Sequence, residues 1–514
     1  MNNESYKFSR HISSSDEARW ATSDEIKNAS KRICLEDETV TAAGIPLIAN
    51  SKEAYVDNKD THTLIFGATG SKKTRLFCMP LINILAKGGE SFVVTDPKGE
   101  LYTKTAGLAK ARGYKTVVLN FRDIGKGDMW NPLSMPYDIY NSGDKDKAMS
   151  LLNDFISAIS APHSEKTKDI FWIEMASSFA LANLLLLVEA GTKEEMNVAS
   201  LARLCNMDQE IVLKELMKKM DGTSLAAMNY NNIFSAAENT KRSIYVSLYA
   251  MVRIFTIQEN LMKMLSGNTF DLKNIGREKT AVYLIVPDEK STYHFLTTVF
   301  IKQAYEVLVE EAQKEADKKL PVRVNFVLDE FCNMPKVQDM PAMISAARSR
   351  NIRYFLVAQS LHQLRNKYGE EADTIKGNCD NWIFLTSKEL DLLNEISELC
   401  GSYVTSDGVK RRLISISELQ RLDKEKGEAL IMHARQYPFI SQLPDIDDYE
   451  CFKGYTADDL GQYQLPEIKM FSPAELLRDA KNGKRDYPFA PKSSPSADAL
   501  DTDEIFRRIF ESVD

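Results

Sequence analysis

The sequence predicts an α/β protein: a wound, largely parallel sheet interrupted by an all-helical insertion. Three observations carry that prediction. Short runs of Val, Ile, Leu and Phe recur between helical patterns, and they are continuous rather than alternating, as strands buried on both faces are. One of these runs breaks into a Gly-rich turn followed by a helix, the local order of a phosphate-binding loop. For about 150 residues in the first half of the chain the β signal vanishes and helical periodicity replaces it.

Taken in order, residues 1–60 are expected to pack as an N-terminal segment on the sheet domain. Strands are predicted in "HTLIFG" from His62, "SFVVTD" from Ser91, "KTVVLNF" from Lys115, "TAVYLIVPD" from Thr280, "VRVNFVLDE" from Val322, "IRYFLVAQS" from Ile352, "NWIFLTS" from Asn381 and "EALIMHA" from Glu428. They place the sheet domain at 61–168 and 270–445. The insertion, 169–269, carries "IFWIEMASSFALANLLLLVEA", "NVASLARLCN", "EIVLKELMKKM" and "SIYVSLYAMVRIF". Its most apolar part, Met175 to Gly191, follows Glu174 and is broken by Glu189, so it falls short of the ~20 residues of a membrane span and reads as a buried helix. The last stretch, 446–514, turns acidic and loop-like, passes through a Ser/Pro/Asp-rich linker and ends in a helix with Ile505, Phe506, Ile509, Phe510 and Val513 on one face. That end has the form of a tethered docking helix, with packing back onto the parent domain as the alternative.

The chain has 514 residues, 44% of them hydrophobic, enough for two or more packed units. A net charge of −8 excludes a protein coated in basic residues, so any nucleic-acid contact is confined to a channel or stripe. Seven cysteines without C-x-x-C spacing fit a reducing compartment and indicate neither a disulfide framework nor a zinc site. The opening residues, Met1 to Glu4, lack the order of a signal peptide.

The loop is Gly67-Ala68-Thr69-Gly70-Ser71-Lys72-Lys73-Thr74. Backbone N–H groups and a helix start converge there, which is how a polyanion is held. Lys73 is placed to reach the β- and γ-phosphates of ATP and Thr74 to ligate Mg2+. The strand "VRVNFVLDEF" ends in Asp329 and Glu330, the first carboxylate suited to the Mg2+ shell and the second to activating water. Gln359 ends another strand and suits γ-phosphate sensing or water positioning, or is a simple strand cap. Arg348 and Arg350 stand where a helix should end; each is either an arginine finger crossing a subunit boundary or a solvated basic terminus.

These motifs, together with "RWATSDEI" from Arg19, "VVTDPKGELY" from Val93, "WNPL" from Trp130, "DIFW" from Asp169, "TKRSI" from Thr240, "FVLDEFCNMPKV" from Phe326, "SRNIRYFLVAQSLHQLRNKYG" from Ser349 and "GNCDNWIFL" from Gly377, follow the order seen in type IV secretion coupling proteins. From about residue 18 to 440 the chain resembles the TraG/TraD-like conjugative DNA transfer ATPases. The resemblance implies a RecA-like P-loop motor domain with an inserted all-α domain, acting as a homo-hexamer around a channel. It implies ATP and Mg2+ as cofactors, and a relaxase (relaxosome), single-stranded DNA, secretion-channel proteins and a membrane adaptor as partners. It also puts Asp96 and Lys98 at a sheet edge near the nucleotide; a capped turn is the plain alternative, since Asp-Pro-Lys-Gly has turn chemistry.

Three departures from the family pattern shape the expectation. Family members begin with two transmembrane helices and this chain starts almost at the "RWAT" block, which implies a cytoplasmic protein held at the inner face of the membrane by a partner, either naturally short or truncated. After "ELCG" the segment is short, leaving Lys410, Arg411 and Arg412 as the candidate DNA-facing loop, or a merely solvated one. Lys72 stands where the loop pattern has glycine, and a side chain on strained backbone there costs ~1–3 kcal/mol, so nucleotide binding is expected to be weakened and hydrolysis more so. Two functions follow: an ATP-driven coupling protein, or a docking receptor of the same fold with little or no turnover. A generic hexameric helicase or septal-type translocase is a third reading, disfavoured by "DPKGEL".

Overall fold

The computed structural model describes residues 6–7, 18–164, 170–220, 222–461 and 467–484. All eight predicted strands are present. In chain order the strands are β1 (Tyr6–Lys7), β2 (Lys31–Cys34), β3 (Ile45–Ala49), β4 (Glu53–Asp57), β5 (Thr63–Phe66), β6 (Ser91–Asp96), β7 (Lys115–Asn120), β8 (Thr280–Ile285), β9 (Val324–Leu328), β10 (Ile352–Ala358), β11 (Asn381–Phe384), β12 (Ser402–Val404), β13 (Lys410–Arg412), β14 (Glu428–His433) and β15 (Phe439–Gln442). Ten of them form one sheet in the order β1-β15-β14-β11-β5-β10-β9-β6-β8-β7. From β11 to β7 all neighbours are parallel. β14, β15 and β1 add to one side antiparallel.

The continuous apolar runs have the cause expected of them. Every residue of β5, β6, β8, β9 and β10 is buried. On one face Phe92, Val94, Tyr283, Ile285, Phe355 and Val357, alternate residues along their strands, pack with the Met79–Gly88 and Glu100–Ala111 helices.

A second sheet, β2-β4-β3, is built from the N-terminal segment. Sequence patterning did not show it. β3 contains Pro46 and changes register between Pro46 and Ile48, and β2 exposes Lys31 and Arg32, so neither carries a clean strand signal. This sheet's Ile45, Leu47 and Val56 share one apolar core with Ile65, Ile383 and Phe439 of the main sheet, and polar ties add to that packing. Arg353 of β10 is 1% exposed and bonds Asn325 Oδ1 at 2.8 Å, Glu90 Oε2 at 2.5 Å and the Ala43 carbonyl at 3.3 Å. Asp57 of β4 accepts from the Asn381 side chain of β11 at 2.7 Å. Gly44 has to be glycine, because a Cβ there would lie 1.7 Å from the Asp57 carbonyl oxygen.

The chain divides into two compact units. The larger comprises 1–168, 197–199 and 253–468, and the smaller 169–196, 200–252 and 469–514. Two boundaries differ from expectation. Residues 253–269 belong with the sheet: Phe255 stacks on Phe155 and meets Phe295 edge-on. The end of the described chain joins the helical unit, where Phe471 is fully buried and its N–H donates to Ser200 Oγ at 2.9 Å, ahead of the Pro473–Lys481 helix. Helical periodicity reveals an apolar face and is silent on which core receives it. Ile505, Phe506, Ile509, Phe510 and Val513 lie outside the described residues.

Within the helical unit the Phe171–Ala190 helix has the length and composition of a membrane span, but it is packed as a core helix with Phe179, Leu184, Leu185, Leu186 and Leu187 fully buried. Phe179 packs edge-on against Tyr230 and Tyr245, and the Tyr230 hydroxyl donates to Asn183 Oδ1 at 2.5 Å. Glu189, which interrupts the apolar run, caps the Leu225–Phe234 helix through the Leu225 N–H at 2.9 Å.

Candidate functional site

Register brings the predicted motifs together. β10 lies between β5 and β9, pairing Ala358 with Phe66 and Leu356 with Leu328. The residues that follow these strands, Gly67, Gln359 and Asp329, therefore emerge side by side at the carboxyl ends of three parallel strands. The Gly67 N–H donates to the Ala358 carbonyl and the Ala68 N–H to the Thr386 carbonyl, so the loop is anchored to the strands on both sides of β5.

The loop itself is tight. A Cβ on Gly67 would sit 2.4 Å from Ser71 Oγ, and Gly70 has φ +77°. Lys73 is 5% exposed; its ammonium donates to the Gly67 carbonyl at 2.6 Å and stands 3.9 Å from Glu330 Oε1. Thr74 Oγ1 donates to Asp329 Oδ2 at 2.9 Å. Burial, and then the neighbouring Glu330 charge, push the Asp329 carboxyl up to about 6. Glu330 sits at φ +52°, and its Oε2 accepts from Gln359 Nε2 at 2.8 Å and Asn333 Nδ2 at 3.2 Å. Gln359 Oε1 in turn accepts from Thr69 Oγ1 at 3.3 Å, closing a chain from the loop to the acidic pair.

This donor set suits a nucleotide with Mg2+. Ser71 Oγ is buried and has no partner, a vacant polar position inside the loop. No group of three or more His, Cys, Asp or Glu able to hold a metal exists among the described residues. One hydroxyl and one carboxylate, Thr74 and Asp329, are what Mg2+ needs when phosphates and water complete its octahedron. Lys73 and the Thr74 hydrogen bond offset only part of the push on the Asp329 carboxyl, and a divalent cation would supply the rest.

Lys72 has φ +66°, the conformation for which glycine is the usual choice. Its ammonium is not turned to the phosphate side; it is bonded to Glu425 Oε2 at 2.6 Å. The adjacent Lys424 donates to the Gly70 carbonyl at 3.3 Å, so the turn at 423–427 rests on the loop. Arg75, just after Thr74, bonds Asp445 at 2.9 Å and also pairs with Asp447. The acidic stretch after Pro444 is thus fastened to the sheet domain, with Tyr449 and Phe452 buried behind it. Sequence reasoning missed Glu425, Asp445 and Asp447, since each lies some 350 residues or more from its partner in the chain. No local motif marks them.

The predicted arginines and the basic cluster lie elsewhere. Arg348 pairs with Asp380 at 2.6 Å and Arg350 Nη1 donates to the Ala346 carbonyl at 2.7 Å. Both precede β10, at the amino ends of the strands and roughly 20 Å, the length of such a strand, from the loop. They do not touch their own chain's site. Lys410, Arg411 and Arg412 form a strand of the β12–β13 hairpin rather than an irregular loop, and all three are exposed. Alternation puts Arg411 on the face opposite Lys410 and Arg412, and Arg412 is paired with Glu398 at 2.8 Å, so the cluster is split. Asp96 ends an interior strand, not an edge strand, and lies near the site as expected, lining one small pocket with Asp329 and Glu330. Burial pushes it up to about 6, and its carboxylate accepts from the Tyr102 N–H at 2.8 Å, which is the capped-turn alternative.

Comparison with known proteins agrees with this architecture. Residues 19–426 match the family model described as type IV secretory system conjugative DNA transfer. The chain belongs to that family. It is 24% identical over 464 residues to the conjugal transfer protein TraG of Escherichia coli, covering 80% of this chain and 69% of that one. A second Escherichia coli TraG is 23% identical over 373 residues; the match spans 67% of this chain and just over half, 56%, of that relative. Among solved structures, the plasmid coupling protein TrwB in complex with the ATP analogue ADPNP superimposes with a TM-score of 0.62 at 14% identity, over 89% of this chain and 98% of that one. TrwB has also been solved in complex with ADP and Mg2+, and superimposes with a TM-score of 0.58 at 14% identity over 87% and 95% of the two chains. The fold of this coupling-family chain is therefore TrwB-like, an α/β motor fold with a helical insertion.

Proposed function

We propose that this type IV coupling protein binds ATP with Mg2+ and hydrolyses it to drive a relaxase–single-stranded DNA substrate into a conjugative secretion channel. The observation that carries the proposal is the convergence of Lys73, the Thr74–Asp329 pair and the Gln359–Glu330 pair at the ends of three adjacent parallel strands. Lys73, held by a carbonyl in this state, turns to the β- and γ-phosphates. Thr74 and Asp329 would hold Mg2+, which would supply the positive charge that phosphoryl transfer needs. Glu330, oriented by Gln359 and Asn333, accepts the proton of the attacking water. Gln359 bridges Thr69 and Glu330 and so links loop occupancy to the base. Arg348 and Arg350 meet a nucleotide only across a subunit boundary, in a homo-hexamer.

Docking of substrate without turnover is the second reading, and Lys72 favours it: a lysine at φ +66° tied to Glu425 stiffens the loop that has to wrap the phosphates. ATP hydrolysis with and without single-stranded DNA, measured on this chain and on Glu330→Gln, separates the two. Retained nucleotide binding with hydrolysis lowered 100-fold or more, within the usual ~10²–10⁴-fold worth of a general base, supports the first. Equal loss of binding and turnover removes Glu330 from the role of base, and no turnover in either protein leaves the docking reading.

A further inference from the structure

The phosphate loop has a second neighbour, the turn at 423–427, on the side away from the acidic pair. This turn leads into β14, and β14 and β11 lie on one side of β5 while β10 and β9 lie on the other. It is braced internally. The Asp423 carboxylate accepts from the Glu425 N–H at 3.0 Å and the Lys426 N–H at 3.4 Å, and Gly427 has to be glycine, because a Cβ there would lie 1.9 Å from the Leu443 carbonyl oxygen.

Most cations in or beside the loop are already paired. Lys72 is bonded to Glu425 at 2.6 Å, Lys73 faces Glu330 at 3.9 Å, Arg75 is held by Asp445 and Asp447, and Lys426 answers Asp423 at 3.3 Å. Lys424 is different. Among the described residues it has no carboxylate partner, and its ammonium donates to the Gly70 carbonyl at 3.3 Å in an exposed bond. Gly70 is open on its outer side, with nothing within 4 Å of where a Cβ would stand. A long bond to a neutral carbonyl in water is readily exchanged for one to an anion.

We propose that Lys424 is a further nucleotide-binding residue, whose ammonium leaves the Gly70 carbonyl to contact the α-phosphate. This contact rests on the nucleotide binding proposed above. There Lys73 and the Thr74–Asp329 pair provide for the β- and γ-phosphates, and the γ-phosphate has to face Glu330 and Gln359. The rest of the nucleotide then extends to the other side of β5, where the turn stands. Lys424 is the cation left to answer it, since Arg75 is spent on the acids after Pro444 and Lys72 on Glu425. A compact ammonium on a flexible four-carbon stem suits a contact made only when the ligand arrives. Two adjacent residues of the turn therefore act on nucleotide affinity with opposite sign, Lys424 raising it and Glu425 lowering it.

The test is calorimetric titration of the full chain, of Lys424→Gln and of Lys426→Gln with ATP and with ADP, each in the presence of Mg2+. Lys426→Gln removes the same charge from the same turn and serves as the control. Lys424→Gln should weaken both nucleotides about tenfold, since each carries an α-phosphate, at an unchanged melting temperature of the nucleotide-free protein. Lys424→Arg, which keeps the charge, should restore most of the affinity. Lys426→Gln should stay within about twofold of the unaltered chain, as an exposed ion pair allows. Equal weakening by the two glutamine variants assigns the effect to net charge and overturns the contact. A loss confined to ATP puts Lys424 at the γ-phosphate and overturns the α-phosphate assignment. A lower melting temperature of Lys424→Gln with unchanged affinity makes the residue a strut of the turn and overturns the proposal. Absence of nucleotide binding by the unaltered chain overturns the nucleotide reading above and this contact with it, whereas undiminished binding by Lys424→Gln overturns the contact alone.

Discussion

Lys72 illustrates how one residue is decided by a neighbour it does not see in sequence. Its positive φ is a cost of about 1–3 kcal/mol for a residue with a side chain, and Glu425 holds the ammonium away from the phosphate side. Lys72→Gly should relieve the strain and the tether together. We expect nucleotide affinity to rise about tenfold, measured by titration with a fluorescent nucleotide. Glu425→Gln should raise affinity by a smaller factor, since it releases the ammonium without relaxing the backbone; an unchanged dissociation constant in both variants would show that the loop already closes on phosphate as it stands. Asp96 carries both of its sequence readings at once: its Oδ2 caps its own turn through the Tyr102 N–H, and it lines a small pocket with Asp329 and Glu330.

At the scale of elements, two joints carry measurable stability. Asp57 fastens the small sheet to the large one through Asn381 and Thr61, with His433 3.6 Å away. Burial pushes its carboxyl up, but the His433, Thr61 and Asn381 contacts outweigh burial and hold it below the ordinary aspartate range. A depressed value means stabilisation fully present above the unfolded value of about 3.9 and lost as pH falls toward the folded one. Asp57→Asn should therefore cost about 2 kcal/mol at neutral pH and progressively less below pH ~4, followed by denaturant melts across that range. The second joint is Phe471, fully buried in the helical unit. Phe471→Ala should cost about 3 kcal/mol and appear first as faster hydrogen exchange in the Pro473–Lys481 helix.

For the whole molecule, under the function proposed above, the acidic balance of −8 confines nucleic-acid contact to a few exposed cations. The β12–β13 hairpin exposes Lys410, Arg411 and Arg412, of which Arg411 stands near Asp407 and Arg412 answers Glu398. Neutralising Lys410, Arg411 and Arg412 together should lower single-stranded DNA affinity and flatten its salt dependence by about two phosphate contacts per subunit, read from binding isotherms at several salt concentrations. An unchanged salt slope would place the DNA path on another surface.

Local chemistry by itself determined the strands and the phosphate loop. Val/Ile/Phe runs such as "SFVVTD" and "IRYFLVAQS" need burial on both faces, and the spacing of Gly67, Gly70, Lys73 and Thr74 answers to the geometry of a polyanion. Asp329 and Glu330 were legible because a buried strand tolerates paired acids only at its end. What tertiary structure decided is everything that depends on neighbours distant in the chain. The order β5-β10-β9 sets Gln359 between the loop and Glu330. The 423–427 turn and Asp445 settle the surroundings of Lys72 and Arg75. Arg348 and Arg350, read from sequence as either arginine fingers or a solvated helix end, lie at the far end of the strands because a parallel strand separates its two ends by its full length. Periodicity and turn chemistry act within a few residues, whereas register and docking are set by side chains hundreds of residues apart.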